Sequence, residues 1–148
     1  MEVSGEAATG KEALLMAANA HFDLVLLDIS MADMSGLDVL KELHREDNDR
    51  PILMLSMYPE EQYAIRALKA GAKGYLTKES APEELLSAIR KVCQGGRYIS
   101  LALAEKLACY LGTDSDKSPH QSLSDREYQV MMMIASGKTV TEIAEELV

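Results

Sequence analysis

Two short apolar runs constrain the fold of this chain more than any other feature of its sequence. Residues 23–28 read DLVLLD and residues 51–56 read PILMLS, and both are apolar along nearly their whole length. Strands that are apolar on both faces are typical of a parallel sheet covered by helices on each side. Stretches with helical spacing separate the two runs, and such alternation predicts βαβ units. The sequence therefore predicts an α/β fold.

The same alternation continues from residue 2 to residue 96. Two further strands are predicted, at residues 2–7 (EVSGEA) and 73–78 (KGYLTK). The intervening segments predict four helices, which are residues 10–21, a helix after Gly36, one opened by Pro59, and one capped by a Ser80–Glu83 capping box. Residues 1–96 are thus predicted to form one doubly wound domain.

The pattern changes after Gly95 and Gly96. A helical run, Leu101 to Leu111, is followed by the polar segment GTDSDKSPHQS at residues 112–122, so residues 97–122 are interpreted as a linker helix and a linker. Two capping boxes follow, at Ser124–Glu127 and Thr139–Glu142, with Gly137 as the stop of the first helix. Two capped helices joined by a short turn predict a small all-α unit over 123–148, the opening of a helix-turn-helix.

Composition excludes several classes of function. The chain of 148 residues carries a net charge of −9, which disfavours nonspecific attraction to nucleic acid or to anionic membranes. No apolar run approaches the roughly 20 residues of a membrane span, and no signal peptide is visible, so a cytoplasmic protein without a membrane partner is expected. Cys93 and Cys109 lack metal-binding spacing and are predicted to be reduced, buried thiols.

Three polar residues stand where three predicted strands end. DLVLLD ends in Asp28, PILMLS in Ser56 and KGYLTK in Lys78, at spacings of 28 and 22 residues. Because ligands of parallel α/β sheets bind beyond the carboxyl ends of the strands, these side chains should meet at one rim. A carboxylate nucleophile, a hydroxyl donor and a compact cation suit phosphoryl transfer through an acyl phosphate. The simpler interpretation is that an acid after an apolar strand only starts a turn.

The segments that carry these residues resemble the receiver domain of two-component response regulators. LLDISMADMSGLDVL, PILMLSM and AGAKGYLTKES are similar to the family's acceptor, switch and lysine segments, and the family fold is flavodoxin-like. The resemblance implies that Asp28 is the phosphoacceptor, Ser56 the switch hydroxyl, Lys78 the phosphate-binding lysine and Tyr75 an aromatic switch. Without the resemblance, ordinary packing in the strand is the preferred interpretation of Tyr75.

The resemblance has two local departures, and it extends to the C-terminal segment. The family usually has proline where this chain has Ala32 and a small residue where it has Met57, which could crowd the phosphoryl group. LSDREYQVMMMIASGKTVTEIAEEL is similar to the start of a LuxR-type helix-turn-helix. Together the resemblances imply a transcription regulator that receives its phosphoryl group from a sensor histidine kinase and binds DNA.

Features that the family usually has are missing from this sequence. The first family strand ends in two acids that help hold Mg²⁺, but only 27 residues precede Asp28, and Glu2 and Glu6 do not fit that pair. With Asp28 as the only retained carboxylate ligand, weak Mg²⁺ binding and poor phosphorylation are expected. A sheet without its first, central strand has open edges, which a second copy could fill in a homodimer.

The C-terminal end raises a similar expectation about DNA. The chain stops at Val148, where a recognition helix should follow, and residues 113–148 carry seven acidic against three basic residues, a net charge of −4. That sign opposes binding to phosphates, so no specific DNA binding is expected of this chain.

Three alternative functions remain open on the sequence alone. A phosphatase of the haloacid dehalogenase type uses an aspartate nucleophile but wants a second acid two residues later, where this chain has Ser30. A degenerate receiver could act without phosphorylation as a dimerisation module, through residues 59–71, 73–78 and 81–95. A flavodoxin-like domain with no retained activity is the third.

Overall fold

A computed structural model describes residues 1–112 and 123–147, so most of the predicted linker lies outside the described residues. Three parallel strands form one sheet in the order β1 (Val25–Asp28), β2 (Ile52–Ser56) and β3 (Gly74–Thr77). Leu27 lies opposite Met54, and Met54 lies opposite Tyr75. The predicted parallel, helix-covered sheet is therefore confirmed. None of the described helices is long and apolar enough to cross a membrane.

Seven helices accompany the sheet in the described residues. In chain order they are α1 (Gly10–Asn19), α2 (Gly36–Glu46), α3 (Glu60–Lys69), α4 (Ala81–Cys93), α5 (Leu101–Gly112), α6 (Asp125–Ala135) and α7 (Val140–Glu146). Both predicted C-terminal capping boxes are present, at Ser124–Glu127 and at Thr139–Glu142. Gly137 has a φ of 86°, the left-handed conformation expected of a glycine that ends a helix.

The two faces of the sheet are covered unequally. The larger cluster places buried residues of α1, α2, α3 and α5 against Leu27, Met54 and Tyr75. On the other face α4 packs against Leu53 and Leu76. Leu26, which alternates with Leu27 and points away from the larger cluster, is 42% exposed. The outer edge of β3 pairs with Tyr98, whereas the outer edge of β1 pairs with no strand of the described residues.

The predicted strand at residues 2–7 is wrong. These residues are exposed coil, and Val3 is 75% exposed. A strand needs a neighbour for its backbone N–H and C=O groups, and these residues pair with none of the described strands. The start of α1 is instead held by the loop after β1. There the Asp33 carboxylate accepts hydrogen bonds from the Gly10 and Lys11 backbone N–H groups at 2.7 and 3.0 Å.

Two smaller predictions also fail. Ser80 does not cap α4 with its side chain, because its backbone is already helical and its hydroxyl donates to the Thr77 carbonyl at 3.2 Å. Cys93 is a free thiol but it is exposed. It follows Val92, which faces the core, and one step along a helix rotates a side chain by about 100°. The side chain of Cys109 lies outside the described part of the chain.

Candidate functional site

Asp28 and Lys78 meet at the carboxyl rim of the sheet. Asp28 is the last residue of β1, and Lys78 directly follows β3. The Lys78 Nζ atom lies 2.5 Å from Asp28 Oδ2, and the two side chains are 39% and 29% exposed. The central strand β2 separates β1 from β3, so the ion pair spans the end of that strand. The Asp28 carboxylate therefore forms an ion pair across the sheet as well as accepting from the loop that follows β1.

Ser56 lies between them, at the end of β2, and is fully buried. Its backbone carbonyl accepts a hydrogen bond from the Lys78 backbone N–H at 2.7 Å. This bond fixes the backbone of Lys78 beside the end of β2. Its Oγ accepts from the Tyr58 backbone N–H at 3.1 Å. The three residues predicted from the strand ends therefore occupy the same rim, with the hydroxyl turned toward the loop after β2.

The loop after β1 is closed tightly over Asp28. The Ser30 backbone N–H donates to Asp28 Oδ1 at 3.2 Å, and the Gly36 N–H donates to the Ile29 carbonyl at 2.9 Å. A Cβ atom on Gly36 would lie 1.8 Å from the Asp28 carbonyl oxygen. Only glycine fits at that position, which explains why α2 begins with glycine.

Tyr75 is connected to the same loop through its hydroxyl group. The ring is fully buried and the hydroxyl donates to the Tyr58 carbonyl at 2.8 Å. Burial raises the pKa of Tyr75 well above its ordinary value. Met57, predicted as a possible obstruction, is 74% exposed and lies in solvent.

The described residues provide few carboxylate ligands for Mg²⁺ at the rim. Mg²⁺ requires near-octahedral oxygen ligation. Asp28 offers one carboxylate, and its two oxygens already accept from Ser30 and Lys78. Across residues 1–112 and 123–147, no three His, Cys, Asp or Glu side chains converge so that they could hold a metal ion.

The C-terminal helix pair α6–α7 packs beside this rim, a contact that the sequence did not reveal. Asp125, in the first turn of α6, is 2% exposed and lies between Lys41 Nζ at 2.5 Å and an Arg66 nitrogen at 3.2 Å. Arg66 also donates to the Leu123 carbonyl at 2.6 Å. Burial and the nearby Asp125 carboxylate raise the pKa of Asp38 on α2. A buried carboxylate between two cations anchors α6 to α2 and α3.

A second set of contacts links the helix pair to the loops at the rim. Gln129 of α6 is fully buried, and its Nε2 lies 3.5 Å from Ser30 Oγ and 3.4 Å from the Tyr58 hydroxyl. The Tyr58 hydroxyl donates to Glu146 of α7 at 3.2 Å. Tyr58 and Gln129 were missed because their roles depend on contacts between residues 71 positions apart. A glutamine within an apolar helical run is the one signal that could have suggested a buried partner.

The fold and the rim define a class of protein. A parallel sheet that pairs an aspartate with a lysine beyond its strand ends, followed by two capped helices, is the architecture of a receiver domain joined to a helix-turn-helix. Residues 1–90 match the family "Response regulator receiver domain", and residues 121–148 match "Bacterial regulatory proteins, luxR family". The chain belongs to the two-component response regulators that combine these two parts and control transcription.

Similar proteins agree with this assignment. The chain is 39% identical over 148 residues to the response regulator UvrY of Escherichia coli K12, covering 99% of this chain and 68% of that protein. It is 36% identical to the response regulator GacA of Pseudomonas aeruginosa, covering 99% and 69%. The crystal structure of a LuxR-family two-component response regulator from Aurantimonas is 30% identical, with a TM-score of 0.64 over 72% of this chain and 76% of that chain.

Proposed function

We propose that Asp28 is the phosphoacceptor of this response regulator and receives its phosphoryl group from the histidine of a sensor kinase. The observation that carries the proposal is the 2.5 Å contact between Lys78 Nζ and Asp28 Oδ2 at the end of the sheet. A carboxylate oxygen attacks phosphorus, the bond between phosphorus and the donor atom breaks, and an acyl phosphate forms on Asp28. This role is a transfer of phosphate to the protein itself, and we do not expect a separate enzymatic activity.

The neighbouring residues have distinct roles in this proposal. Lys78 supplies a positive charge for the phosphoryl oxygens, because an ammonium group is a compact charge with three donors. Ser56 donates a hydrogen bond to the phosphoryl group after its hydroxyl rotates away from Tyr58. Tyr75, whose hydroxyl holds the Tyr58 carbonyl, responds to that rotation as the aromatic switch. The proposed roles rest on the common rim and on the resemblance to the family.

Receiver domains generally use Mg²⁺, which offsets the charge that develops on the phosphoryl group. In this chain Asp28 would supply the carboxylate ligand, and the described residues add no acidic cluster beside it. We therefore propose that Mg²⁺ binds weakly and that the chain accepts phosphate slowly.

The domain division and the remaining partners are also proposals. We assign residues 1–96 to the receiver, 97–122 to the linker helix and linker, and 123–148 to part of the LuxR-type unit. We propose that a regulator of this family binds DNA and works in the cytoplasm, where its kinase and its DNA target meet. Residues 113–148, with their net charge of −4, are not expected to bind a specific DNA site alone.

Dimerisation is a second candidate activity, and it does not require phosphorylation. The surface formed by α3, β3 and α4 exposes Leu86, which is 56% accessible on α4. We propose that this surface joins two copies of the chain. Leu86→Lys should then lower the dimer fraction in analytical ultracentrifugation, whereas Leu101→Lys, at an exposed leucine of α5, should not. A dimer that survives Leu86→Lys would refute this surface.

Phosphorylation is tested by intact-mass measurement after incubation with Mg²⁺ and a small acyl-phosphate donor. An adduct of one phosphate is expected slowly on the original chain and on Asp23→Ala, whose exposed acid precedes β1. No adduct is expected on Asp28→Ala. An adduct that persists in Asp28→Ala would overturn the assignment of the acceptor. A rate that does not depend on Mg²⁺ concentration would contradict any role of the metal.

A further inference from the structure

The loop between β1 and α2, residues 29–35, is attached to helix α1 by the side chain of Asp33. Asp33 Oδ1 accepts a hydrogen bond from the Gly10 N–H at 2.7 Å, and Oδ2 accepts one from the Lys11 N–H at 3.0 Å. Both donors lie in the first turn of α1, where backbone N–H groups have no partner within the helix. The two bonds, from Lys11 and Gly10, lower the pKa of Asp33, so its side chain is ionised at neutral pH. This pair of bonds is called the Asp33 clasp below.

The first residues of the same loop hold the carboxylate of Asp28. The Ser30 N–H donates to Asp28 Oδ1 at 3.2 Å, and Lys78 Nζ donates to Asp28 Oδ2 at 2.5 Å. The χ2 torsion of an aspartate has a broad energy minimum, so a carboxylate held at one oxygen can rotate. A carboxylate held at both oxygens has a fixed plane. The orientation of Asp28 therefore depends on where the loop places the Ser30 N–H.

The middle of the loop has little rigidity of its own. Ala32 is exposed, and its N–H donates a hydrogen bond to none of the described residues. Alanine does not restrict φ as a proline ring would. Asp33 follows directly, so the clasp restrains the loop beside a residue that lacks such a bond. Met34 packs against the larger core cluster, so loss of the clasp should loosen the loop without detaching it.

We propose that Asp33 is a positioning residue for phosphoryl transfer to Asp28, because its clasp holds the loop in the conformation that aims the Ser30 N–H at Asp28 Oδ1. This inference rests on the proposed function of Asp28 as the acceptor. Asp33 acts through Ser30 and not by contact with the phosphoryl group. The rate of transfer depends on the fraction of molecules in which the reacting atoms are aligned, and the clasp raises that fraction.

The first test compares Asp33→Ala with the original full chain. Intact mass is followed over time with Mg²⁺ and acetyl phosphate, and the adduct should form about threefold to tenfold more slowly in Asp33→Ala. Asp33→Asn, which keeps one acceptor oxygen, should lie between the two. In a ¹⁵N–¹H correlation spectrum the Ser30 amide proton of Asp33→Ala should move upfield, because its hydrogen bond to a charged acceptor weakens. A slower adduct with an unmoved Ser30 resonance overturns the positioning role, and so does an unchanged rate.

Glu12→Gln is the matched control at the same end of α1. Glu12 lies in the first turn and its Oε2 atom accepts from the Ala8 N–H at 2.8 Å, so it also supports the helix N-terminus, but its bond does not reach the loop. Urea unfolding shows how much stability each variant loses. Glu12→Gln should keep the original rate and the original Ser30 resonance. Equal slowing in Glu12→Gln would mean that the stability of α1 matters and the clasp does not, which overturns the proposal.

A double-mutant cycle with Ala32→Pro separates rigidity of the loop from other effects of Asp33. A proline ring restricts φ beside the clasp, so removing Asp33 should slow adduct formation less in the Ala32→Pro background than in the original chain. The comparison is made within that background, so it holds even if Ala32→Pro itself changes the rate. An effect of Asp33→Ala that is as large with proline as without it overturns the proposal.

Failure of the acceptor proposal gives a different result. If the original chain forms no adduct, or forms one that persists in Asp28→Ala, then Asp28 is not the acceptor. The Ser30 resonance still reports the clasp in that case: a shift in Asp33→Ala but not in Glu12→Gln would show that Asp33 positions the loop around Asp28. An adduct on Asp28 that forms at the same rate with and without Asp33 leaves the acceptor in place and removes the positioning role.

Discussion

Two buried tyrosines of the receiver core should respond in opposite ways when their hydroxyl groups are removed. Tyr63 and Tyr75 are both fully buried. The Tyr75 hydroxyl donates to the Tyr58 carbonyl at 2.8 Å. The Tyr63 hydroxyl has no hydrogen-bond partner among the residues that the structure describes. The same change, tyrosine to phenylalanine, therefore removes a satisfied group at one position and an unsatisfied group at the other.

The magnitudes follow from the cost of burying polar groups. An unpaired buried donor or acceptor costs about 1–3 kcal/mol, so Tyr63→Phe should raise the free energy of unfolding by about 1 kcal/mol. The cavity left by one oxygen atom offsets a few tenths of a kcal/mol, at about 24 cal/mol per Å³. Tyr75→Phe removes a hydrogen bond worth about 1 kcal/mol, and it also leaves the Tyr58 carbonyl without this donor. The two variants should thus differ by about 2 kcal/mol.

Urea unfolding followed by far-ultraviolet circular dichroism measures both variants beside the original chain. The midpoint should move up for Tyr63→Phe and down for Tyr75→Phe, with the slope unchanged. Tyr98→Phe, a partly exposed tyrosine, serves as the reference for removing a hydroxyl outside the core. If Tyr63→Phe is destabilised as much as Tyr75→Phe, the Tyr63 hydroxyl has a partner in solution and the reasoning is refuted.

Three further predictions concern the same domain. Burial raises the pKa of Tyr63, so the phenol ionises at a lower pH in the unfolded state than in the folded state. The free energy of unfolding should therefore be unaffected below about pH 10 and fall as the pH rises above that value. Tyr63→Phe should reduce this fall when unfolding is measured from neutral to alkaline pH. Gly36→Ala should cost about 3 kcal/mol or more, since its Cβ would meet the Asp28 carbonyl, and a wild-type urea midpoint would contradict that clash. Hydrogen bonds from the Lys11 and Gly10 N–H groups lower the pKa of Asp33 below 3.8. The contribution of its carboxylate to folding stability is therefore present above that pH and lost as the pH falls through the lowered pKa. Asp33→Asn should remove this part of the acid sensitivity, and an unchanged acid unfolding curve would count against it.

The sequence was most informative where function and structure depend on local pattern. The apolar strands, the three polar strand ends and both C-terminal capping boxes are set by neighbours within a few residues, so periodicity and cap chemistry find them. The strand at residues 2–7 failed because strand formation depends on a partner, which composition does not reveal. Ser80 failed as a cap because the preceding turn already uses its hydroxyl.

The contact between the helix pair and the receiver could not be predicted from the sequence, for a different reason. Lys41 and Asp125 are 84 positions apart, and no local pattern connects them. A single sequence shows that both charges exist but not that one will be buried beside the other. The same limit applies to Gln129, whose burial is decided by the rim against which α6 packs.

The contacts of the helix pair also give its acidic character a physical role. The net charge of −4 over residues 113–148 was predicted to oppose DNA binding. In the structure, Asp125 pairs with Lys41 and Arg66, and Glu146 accepts from Tyr58 and pairs with Lys138. Two of these acids, Asp125 and Glu146, thus face cations and a hydroxyl. Because one carboxylate of this interface is almost fully buried, loss of either cation should weaken docking more than loss of an exposed pair would.

Docking should accordingly be less sensitive to added salt than binding to DNA, since buried pairs are poorly screened. Hydrogen exchange of α6 measured at low and high salt decides this: a large acceleration by salt would mean that the pair is solvated and that the apolar contacts hold α6 in place.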